Sequence, residues 1–201
     1  MTGGTPLEPL TAAAVVVVDM QRLFAEATEW QVPSLPAIVP QVHRLAACRP
    51  GATLFTRFVT PPSIEAAPGR WRHYYERWRS VTLDRMAPAM LDLLPELAQV
   101  AQPGSTCDKA TFSAFADGPL PERLRERDVR TLILCGVETD VCVLATALEA
   151  VDMGYRVLVV EDAVTSWSLE SHKAALDFVL PRFDRQIEVA TVDAVLAAWQ
   201  S

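Results

Sequence analysis

The sequence predicts an α/β protein, a three-layer αβα sandwich around a mainly parallel sheet of about six strands. Short β-branched runs alternate with longer helical patterns, which is typical of a parallel sheet covered by helices on both faces. The first run, AAVVVVD at residues 13–19, is apolar almost throughout, as in a central strand buried on both faces. A chain of 201 residues is long enough for one such domain, and no linker or repeat divides it.

The elements follow in order from these patterns. After the first strand, Ser34 is the predicted N-cap of a helix that runs to about Cys48, with apolar residues recurring on one face. GATLFTRF, residues 51–58, predicts a second strand that ends near Arg57. In the second half of the chain, the pattern predicts strands at 105–109, 129–137 and 155–163, with a helix closed by Gly154 between the last two. A further helix begins at Ser168 or Ser171. A final edge strand and helix follow at 186–192 and 194–200.

Residues 60–94 break this alternation. They include TPPSIEAAPGRWRHYYERWRS, which is rich in Pro, Arg and aromatic residues and has no clean period. An irregular insertion of this length is usually a lid, a binding loop or an oligomer contact. Trp71, Tyr74, Tyr75 and Trp78 share one face at helical spacing. We expect a helix that packs this face on the core or on another subunit, with a lid over a pocket as the alternative.

The composition is that of a soluble globular protein, with 50% hydrophobic and 21% charged residues. A formal charge of −7 argues against a nucleic-acid surface. The apolar run at residues 12–18 is far shorter than the about 20 residues that span a bilayer, and it lacks the basic flank of a signal peptide. We therefore expect a cytoplasmic protein that acts on a small molecule, without a nucleic-acid or membrane partner.

Polar residues mark the ends of the predicted strands. In strand order they are Asp19, Arg57, Lys109, Cys142 after the GVETD turn, and Glu161 with Asp162. Ligands of open parallel sheets bind at the carboxyl ends of the strands, beside the point where strand order reverses. Asp19, Lys109 and Cys142 can therefore converge on one pocket.

This set of side chains is chemically coherent. A helix N-terminus and a nearby ammonium both favour a thiolate, so we expect a depressed pKa for Cys142. A carboxylate can take the thiol proton and pass it to a leaving amine, and backbone N–H groups can hold an oxyanion. Spacing alone leaves a second reading open, in which Asp19 is a strand-end cap, Lys109 a surface charge and Cys142 a core thiol.

Longer blocks of sequence carry a family resemblance. VVVVDMQRLF, DKATFSAFADGPL, LILCGVETDVCVLATALEAVDMGYRVLVVEDA and SHKAAL are spread from about Ala13 to Leu176. In this order they resemble the isochorismatase-like cysteine hydrolases, which include nicotinamidases and N-carbamoylsarcosine amidohydrolases. The resemblance implies a Rossmann-like sheet and a single hydrolase domain over residues 1–201, with the irregular insertion at about 60–94.

The resemblance also implies roles by position. It makes Asp19, Lys109 and Cys142 the catalytic residues, with Cys142 as the nucleophile. It places a cis peptide at Val137–Glu138 and the oxyanion-binding donors at the backbone N–H groups of Glu138 and Cys142. The implied reaction cleaves a C–N bond of a small amide, ureido or lactam substrate through a thioester on Cys142. Isochorismatase proper, which acts on a vinyl ether, lacks this cysteine.

The sequence departs from the nicotinamidases at their metal site. Those enzymes bind a metal just after the second strand through an aspartate and two histidines, and FTRFVTPPS has neither residue type. His43, His73 and His172 are widely separated. We therefore expect no metal and no other cofactor, and nicotinamide is a less favoured substrate.

Five residues are candidates for substrate binding: Phe24, Arg57, Trp78, Phe112 and Trp167. The planar fork of Arg57 suits a carboxylate or a ureido oxygen, and a structural salt bridge is an equal alternative. The resemblance and the aromatic insertion also suggest a homo-oligomer, a dimer or a tetramer. Two other functions stay open, namely a non-catalytic small-molecule-binding or scaffold protein on this fold and an isochorismate-type ether hydrolase.

Overall fold

A six-stranded sheet lies at the centre of the computed structural model, which describes residues 7–199. The strands are β1 (Ala13–Val18), β2 (Thr53–Phe58), β3 (Thr106–Lys109), β4 (Thr131–Val137), β5 (Arg156–Thr165) and β6 (Ile187–Ala190). Their order across the sheet is β3-β2-β1-β4-β5-β6, and neighbouring strands pair in parallel. The predicted α/β class and the Rossmann-like parallel sheet are confirmed.

Helices flank the sheet. Within residues 7–199 the α-helices are α1 (Arg22–Ala25), α2 (Leu35–Cys48), α3 (Trp71–Arg77), α4 (Pro95–Ala98), α5 (Leu120–Glu126), α6 (Leu144–Asp152), α7 (Leu169–Ala174) and α8 (Val192–Ala198). A π-helical turn, Thr139–Val143, leads into α6. Among these described residues no helix has the length and apolar character needed to cross a membrane.

The two central strands explain the unbroken apolar runs of the sequence. Val15–Val18 of β1 are completely buried, and all seven residues of β4 are buried. The strands pair in register from Ala13 with Thr131 to Val18 with Gly136. Strand order reverses between β1 and β4, because β2 and β3 lie on one side and β5 and β6 on the other. The carboxyl ends of β1 and β4 therefore flank the crevice where such sheets bind ligands.

The fifth strand is longer than predicted. It runs to Thr165, and its register against β4 slips along the way. Leu134 pairs with Val159, but Gly136 pairs with Val164, so β5 uses five residues to advance along two residues of β4. This irregularity moves the carboxyl end of β5 beyond the position that the sequence pattern predicts.

Glu161 and Asp162 were predicted to end the fifth strand, and this prediction is wrong. Both lie inside β5, in the irregular stretch. The Asp162 carboxylate accepts hydrogen bonds from the Val192 backbone N–H and from the Gln41 side-chain amide, both at 2.8 Å. Asp162 therefore joins α2 and the start of α8 to the sheet.

The predicted N-caps have different outcomes. The Ser168 hydroxyl accepts a hydrogen bond from the Ser171 N–H, so Ser168 is the cap of α7. Ser34 precedes α2 as predicted, but its side chain makes no cap. Pro36 has no N–H to offer at the second helical position. The Ser34 hydroxyl instead lies 2.6 Å from the Thr165 hydroxyl at the end of β5.

Gly136 is the backbone constraint closest to the crevice. Its φ of 107° is a backbone conformation that glycine adopts readily and residues with a side chain rarely adopt. A Cβ atom at this position would lie 2.1 Å from the Val18 carbonyl oxygen. Gly154, which ends α6 with φ of 87°, has open space around its missing Cβ. Of these two glycines, Gly136 therefore combines a positive φ with a close approach of the neighbouring strand, and Gly154 has the positive φ alone.

We expect Gly136→Ala to lower the free energy of unfolding by at least about 4 kcal/mol, since backbone strain and overlap with β1 act together. Gly154→Ala, the matched control, should lose only about 1–2 kcal/mol, because it has the strain without the overlap. Urea denaturation of both variants measures the difference. Equal losses would contradict the assigned contact between Gly136 and Val18.

Candidate active site

Asp19 lies at the carboxyl end of β1 and is completely buried. Its backbone has φ of 50°, which turns the chain out of the strand. Thr56 on the neighbouring β2 contacts it twice: the Thr56 hydroxyl donates to Asp19 Oδ1 at 2.6 Å and accepts from the Asp19 backbone N–H at 3.1 Å. These two bonds fix Oδ1 as an acceptor and leave Oδ2 for another partner.

Lys109 is that partner. Its Nζ lies 2.7 Å from Asp19 Oδ2, and the two side chains are 1% and 0% exposed. Nζ also donates to the Thr111 carbonyl oxygen at 2.9 Å and lies 4.6 Å from the centre of the Phe58 ring. Because β2 separates β3 from β1, the long lysine side chain crosses over β2 to reach the carboxylate.

Burial opposes the charge of Lys109, but the attraction of the Asp19 carboxylate contributes most to outweighing it. The pKa of Lys109 is therefore raised above its ordinary value. The ammonium is held in its charged form inside the protein.

Cys142 is 5% exposed, and its thiol interacts electrostatically with the side chains of both Asp19 and Lys109. Burial raises the pKa of its thiol, the charge of Asp19 raises it further, and the charge of Lys109 lowers it. The net direction is upward, so the predicted depressed pKa is wrong. The sequence pattern could not reveal the depth of burial, which dominates here. Cys142 is a protonated thiol at neutral pH, with a carboxylate beside it that can take its proton.

Residues 138–143 form a compact loop between β4 and α6, which we term the nucleophile turn. The peptide bond from Val137 to Glu138 is cis, at the position that the resemblance implies. The Glu138 carbonyl oxygen accepts hydrogen bonds from the N–H groups of Val141, at 3.1 Å, and Val143, at 3.0 Å. The turn therefore closes on itself and presents Cys142 from a π-helical segment.

Three successive residues of the nucleophile turn are bonded to the segment that follows β5. The Trp167 N–H donates to Glu138 Oε2 at 2.7 Å, and the Ser166 hydroxyl donates to Asp140 Oδ1 at 2.6 Å. The Thr139 hydroxyl lies 2.9 Å from Nδ1 of His172 on α7. Burial lowers the pKa of His172. The position of Cys142 thus depends on contacts with residues 166–172.

Gln21 connects the opposite side of the site. It is completely buried, and its Oε1 accepts the Phe58 N–H at 2.7 Å. Its Nε2 donates to the carbonyl oxygens of Phe58, at 3.2 Å, and Leu91, at 3.0 Å. The glutamine of the Asp-Met-Gln sequence therefore ties the ends of β1 and β2 to the insertion.

A cavity of about 410 Å³ opens at this edge of the sheet. Its walls are mostly aromatic, and its lining residues are Phe24, Glu29, Trp30, Phe58, Tyr74, Arg77, Trp78, Phe112, Glu138, Asp140, Val141, Cys142, Trp167, Ser168 and Ser171. Cys142 and Phe58 both line the cavity and contact the buried ion pair. A carbonyl group bound in this aromatic cavity would meet the Cys142 sulfur first.

Four of the five predicted substrate-binding residues, Phe24, Trp78, Phe112 and Trp167, line the aromatic cavity. Their role in binding stays a prediction. Sequence reasoning missed Glu29 and Trp30, because they lie between α1 and α2 in a segment without periodicity. Arg77 is another lining residue that it did not single out.

Arg57 does not reach the aromatic cavity, which corrects its prediction as a binding residue. Side chains alternate along a strand, and Thr56 and Phe58 face the site, so Arg57 faces the other side of the sheet. There its Nε and Nη2 bond to the two carboxylate oxygens of Asp108 at 2.7 and 2.8 Å. Asp108 is its neighbour in register on β3. The structural salt bridge was the correct alternative.

The aromatic cluster of the insertion both packs and lines the cavity. Tyr75 of α3 is 2% exposed, in line with the expected packing on the core. Tyr74 lines the cavity, and burial raises its pKa to about 12. The Trp71 ring lies 4.8 Å from that of Phe112. The α3 segment is therefore a fixed wall of the cavity that is anchored in the core.

His73 and His172 make unrelated contacts. His73 pairs with Glu76 on the exposed side of α3, and His172 bonds to the nucleophile turn. Across residues 7–199, no three His, Cys, Asp or Glu side chains form a group that could hold a metal ion. The donor set of a metal site is absent from this part of the chain.

The chain is an α/β protein with a parallel sheet, and Cys142, Asp19 and Lys109 lie together where the strand order reverses. This arrangement places it among the proteins of this fold that have a cysteine in the site. Residues 13–191 match the family model described as Isochorismatase domain, and the chain belongs to this family.

Relatives agree with this assignment. The chain is 30% identical over 168 residues to Nicotinamidase 3 of Arabidopsis thaliana, covering 82% of this chain and 78% of that protein. It is 35% identical over 94 residues to the uncharacterized isochorismatase family protein YwoC of Bacillus subtilis (strain 168). That match covers 47% of this chain and 49% of YwoC, so the chain spans about half the length of this curated relative. A crystal structure of a cysteine hydrolase from Pseudomonas syringae pv. phaseolicola 1448A aligns with a TM-score of 0.75 at 25% identity, over 98% of both chains.

The opposing effects of Asp19 and Lys109 on the Cys142 thiol give a prediction for alkylation by iodoacetamide. In the wild type the rate at Cys142 should be low at pH 7 and rise as the pH increases above 9, because the raised pKa keeps the thiol protonated. Asp19→Asn should increase the rate at pH 8 about tenfold, since one pKa unit changes the thiolate fraction tenfold. Lys109→Met should decrease it.

Peptide mapping by mass spectrometry measures these rates, and the same digest contains its own controls. Cys48 is exposed and reports the reactivity of the reagent, whereas Cys135 is fully buried and reports intact folding. Rapid alkylation of wild-type Cys142 at pH 6, or a slower reaction in Asp19→Asn, would contradict the assigned electrostatics.

Proposed function

We propose that this chain is a metal-independent cysteine hydrolase that cleaves the C–N bond of a small amide, ureido or lactam substrate through a thioester on Cys142. One observation carries the proposal: a thiol on the wall of the aromatic cavity contacts a buried Asp19–Lys109 ion pair. Nucleophile, proton acceptor and cation are thus in mutual contact at one end of a cavity of substrate size.

The first step is attack on the substrate carbonyl. The Cys142 sulfur forms a bond to the carbonyl carbon while the thiol proton moves to Asp19, so a free thiolate does not have to form in advance. Lys109 stays protonated and stabilises the negative charge that passes between carboxylate and sulfur. The backbone N–H groups of Glu138 and Cys142 are the proposed donors to the oxyanion.

The second step breaks the C–N bond. The tetrahedral intermediate collapses to a thioester on Cys142, and the leaving nitrogen takes the proton from Asp19 and departs as an amine. Water then attacks the thioester carbonyl and gives a proton to Asp19. The C–S bond breaks, the acid leaves, and the proton returns to Cys142. No step requires a metal, because sulfur supplies the nucleophile and the ion pair handles the proton.

The environment of the ion pair supports catalysis over a purely structural or ligand-binding role. Two charged groups with almost no exposure lose their hydration, and such pairs often stabilise a fold no better than apolar side chains would. A scaffold protein would have no use for a buried ion pair that interacts electrostatically with a thiol on the cavity wall. The presence of Cys142 likewise favours acyl transfer over the ether hydrolysis proposed as the other enzymatic alternative.

We also propose that the chain forms a homo-oligomer, a dimer or a tetramer. Large apolar side chains are exposed after β5, with Trp167 at 67%, Leu169 at 61% and Phe178 at 73%. Exposed apolar side chains of this size are common at contacts between subunits.

Replacing Cys142 by Ala tests the proposed chemistry. Hydrolysis of benzamide, N-carbamoylglycine and 2-pyrrolidinone, which represent the three substrate types, and of the cationic glycine betaine amide is followed by mass spectrometry. At least one should be cleaved by the wild type, and Cys142→Ala should lower that rate at least about 10⁴-fold, because the nucleophile is lost.

Intact-protein mass spectrometry after acid quench should show an acyl adduct on the wild type that hydroxylamine removes, and none on Cys142→Ala. Matched thermal unfolding of the two proteins is the control for folding. Retained hydrolysis in Cys142→Ala would rule out the thioester route.

A further inference from the structure

The aromatic cavity has an unequal distribution of charge. Of the described residues that line it, three carry carboxylates, Glu29, Glu138 and Asp140, and one carries a guanidinium, Arg77. Behind the cavity wall, the charges of Asp19 and Lys109 compensate each other. The space available to a bound molecule therefore faces an excess of negative charge.

Glu138 is the carboxylate best placed to act on a bound molecule. It is about half-buried, lines the cavity and lies on the same turn as Cys142. Its Oε2 accepts the Trp167 N–H at 2.7 Å, which orients the carboxylate and leaves acceptor capacity on its other oxygen. Burial raises the pKa of Glu138, the Trp167 N–H opposes this, and the nearby charge of Asp140 adds to it. A cation bound beside Glu138 would stabilise its charged form.

The other charged lining groups already have local partners. Asp140 accepts the Ser166 hydroxyl at 2.6 Å. Glu29 is exposed, and its Oε2 accepts the Ser80 N–H at 2.9 Å. The Arg77 guanidinium is also exposed and lies 4.9 Å from the centre of the Trp78 ring. Arg77 is therefore held at the rim of the cavity by its contact with Trp78, the residue that follows α3.

Aromatic rings line the same cavity as these carboxylates. The Trp30 ring lies 5.8 Å from Phe24, 5.5 Å from Phe58 and 5.9 Å from Tyr74, measured between ring centres. Trp167 and Phe112 also line the cavity. Electron-rich ring faces attract cations, most strongly where water is excluded, and several rings around one space are the arrangement that binds quaternary ammonium groups.

We propose that the substrates of this site are amides that carry a cationic group, with the cation held between the Glu138 carboxylate and the aromatic rings. This assignment rests on the proposed amide hydrolysis and extends it to a substrate class. It makes Glu138 a specificity-determining residue through its side chain, in addition to the proposed role of its backbone N–H.

Two amides that differ in one atom test the proposal. Glycine betaine amide carries a trimethylammonium group, and 3,3-dimethylbutanamide has carbon in place of the charged nitrogen. Isothermal titration calorimetry on Cys142→Ala measures the binding of each without turnover. We expect the cationic amide to bind at least about tenfold more tightly than the neutral one.

Two further variants, made in the Cys142→Ala background, locate the effect. Glu138→Gln keeps an oxygen acceptor for the Trp167 N–H and removes the charge, so the two amides should then bind about equally. Glu29→Gln makes the same chemical change at the rim and should keep most of the preference. Equal binding to Cys142→Ala itself, no measurable binding of either amide, or a preference that survives Glu138→Gln would each overturn the proposal.

The binding test and the hydrolysis test fail independently. A preference for the cationic amide without an acyl adduct on the wild type would reject the thioester chemistry and retain the cation site. An acyl adduct with neutral amides, together with no preference in calorimetry, would reject the cation site and retain the thioester chemistry.

Discussion

The contact between the Asp19 carboxylate and the Lys109 ammonium is the interaction around which this end of the sheet is organised. Two ions removed from water are tolerated only when each is fully coordinated. Thr56, the Thr111 carbonyl group and the Phe58 ring supply that coordination. Every one of these groups comes from the carboxyl ends of β2 and β3 or the loop after them. The order β3-β2-β1 is thus what makes a buried pair possible.

Cys142, the proposed nucleophile, belongs to the other half of the sheet. Cys142 follows β4, and its turn is held from the far side by residues 166–172, through bonds to Glu138, Thr139 and Asp140. The placement of Cys142 relative to the ion pair therefore depends on the packing of β1 against β4, where Gly136 lets the strands approach closely. Burial of the thiol, followed by the opposing charges of the ion pair, keeps Cys142 protonated. The turn determines where its sulfur lies.

Sequence reasoning placed Asp19, Lys109 and Cys142 in one pocket because parallel strands bring their carboxyl ends to one edge. Its predictions were wrong where the outcome depends on the face of the sheet that a side chain occupies or on how deeply the side chain is buried. Arg57 is adjacent to site residues along the chain but faces the opposite side of the sheet, and the burial that raises the pKa of Cys142 leaves no mark in a sequence pattern. The slip in β5 and the irregular segment that supplies Trp30 carry no periodicity from which they could be located.

The concentration of indole rings around the cavity gives the protein a built-in optical reporter. Trp30, Trp78 and Trp167 line the cavity, and Trp71 packs against the lining residue Phe112. The fifth tryptophan of the chain, Trp199, lies elsewhere, with the Arg49 guanidinium 5.9 Å from its ring. Most of the indole rings therefore lie at or next to the cavity that Cys142 lines, so we expect the intrinsic fluorescence to respond to the occupancy of the site without any added label.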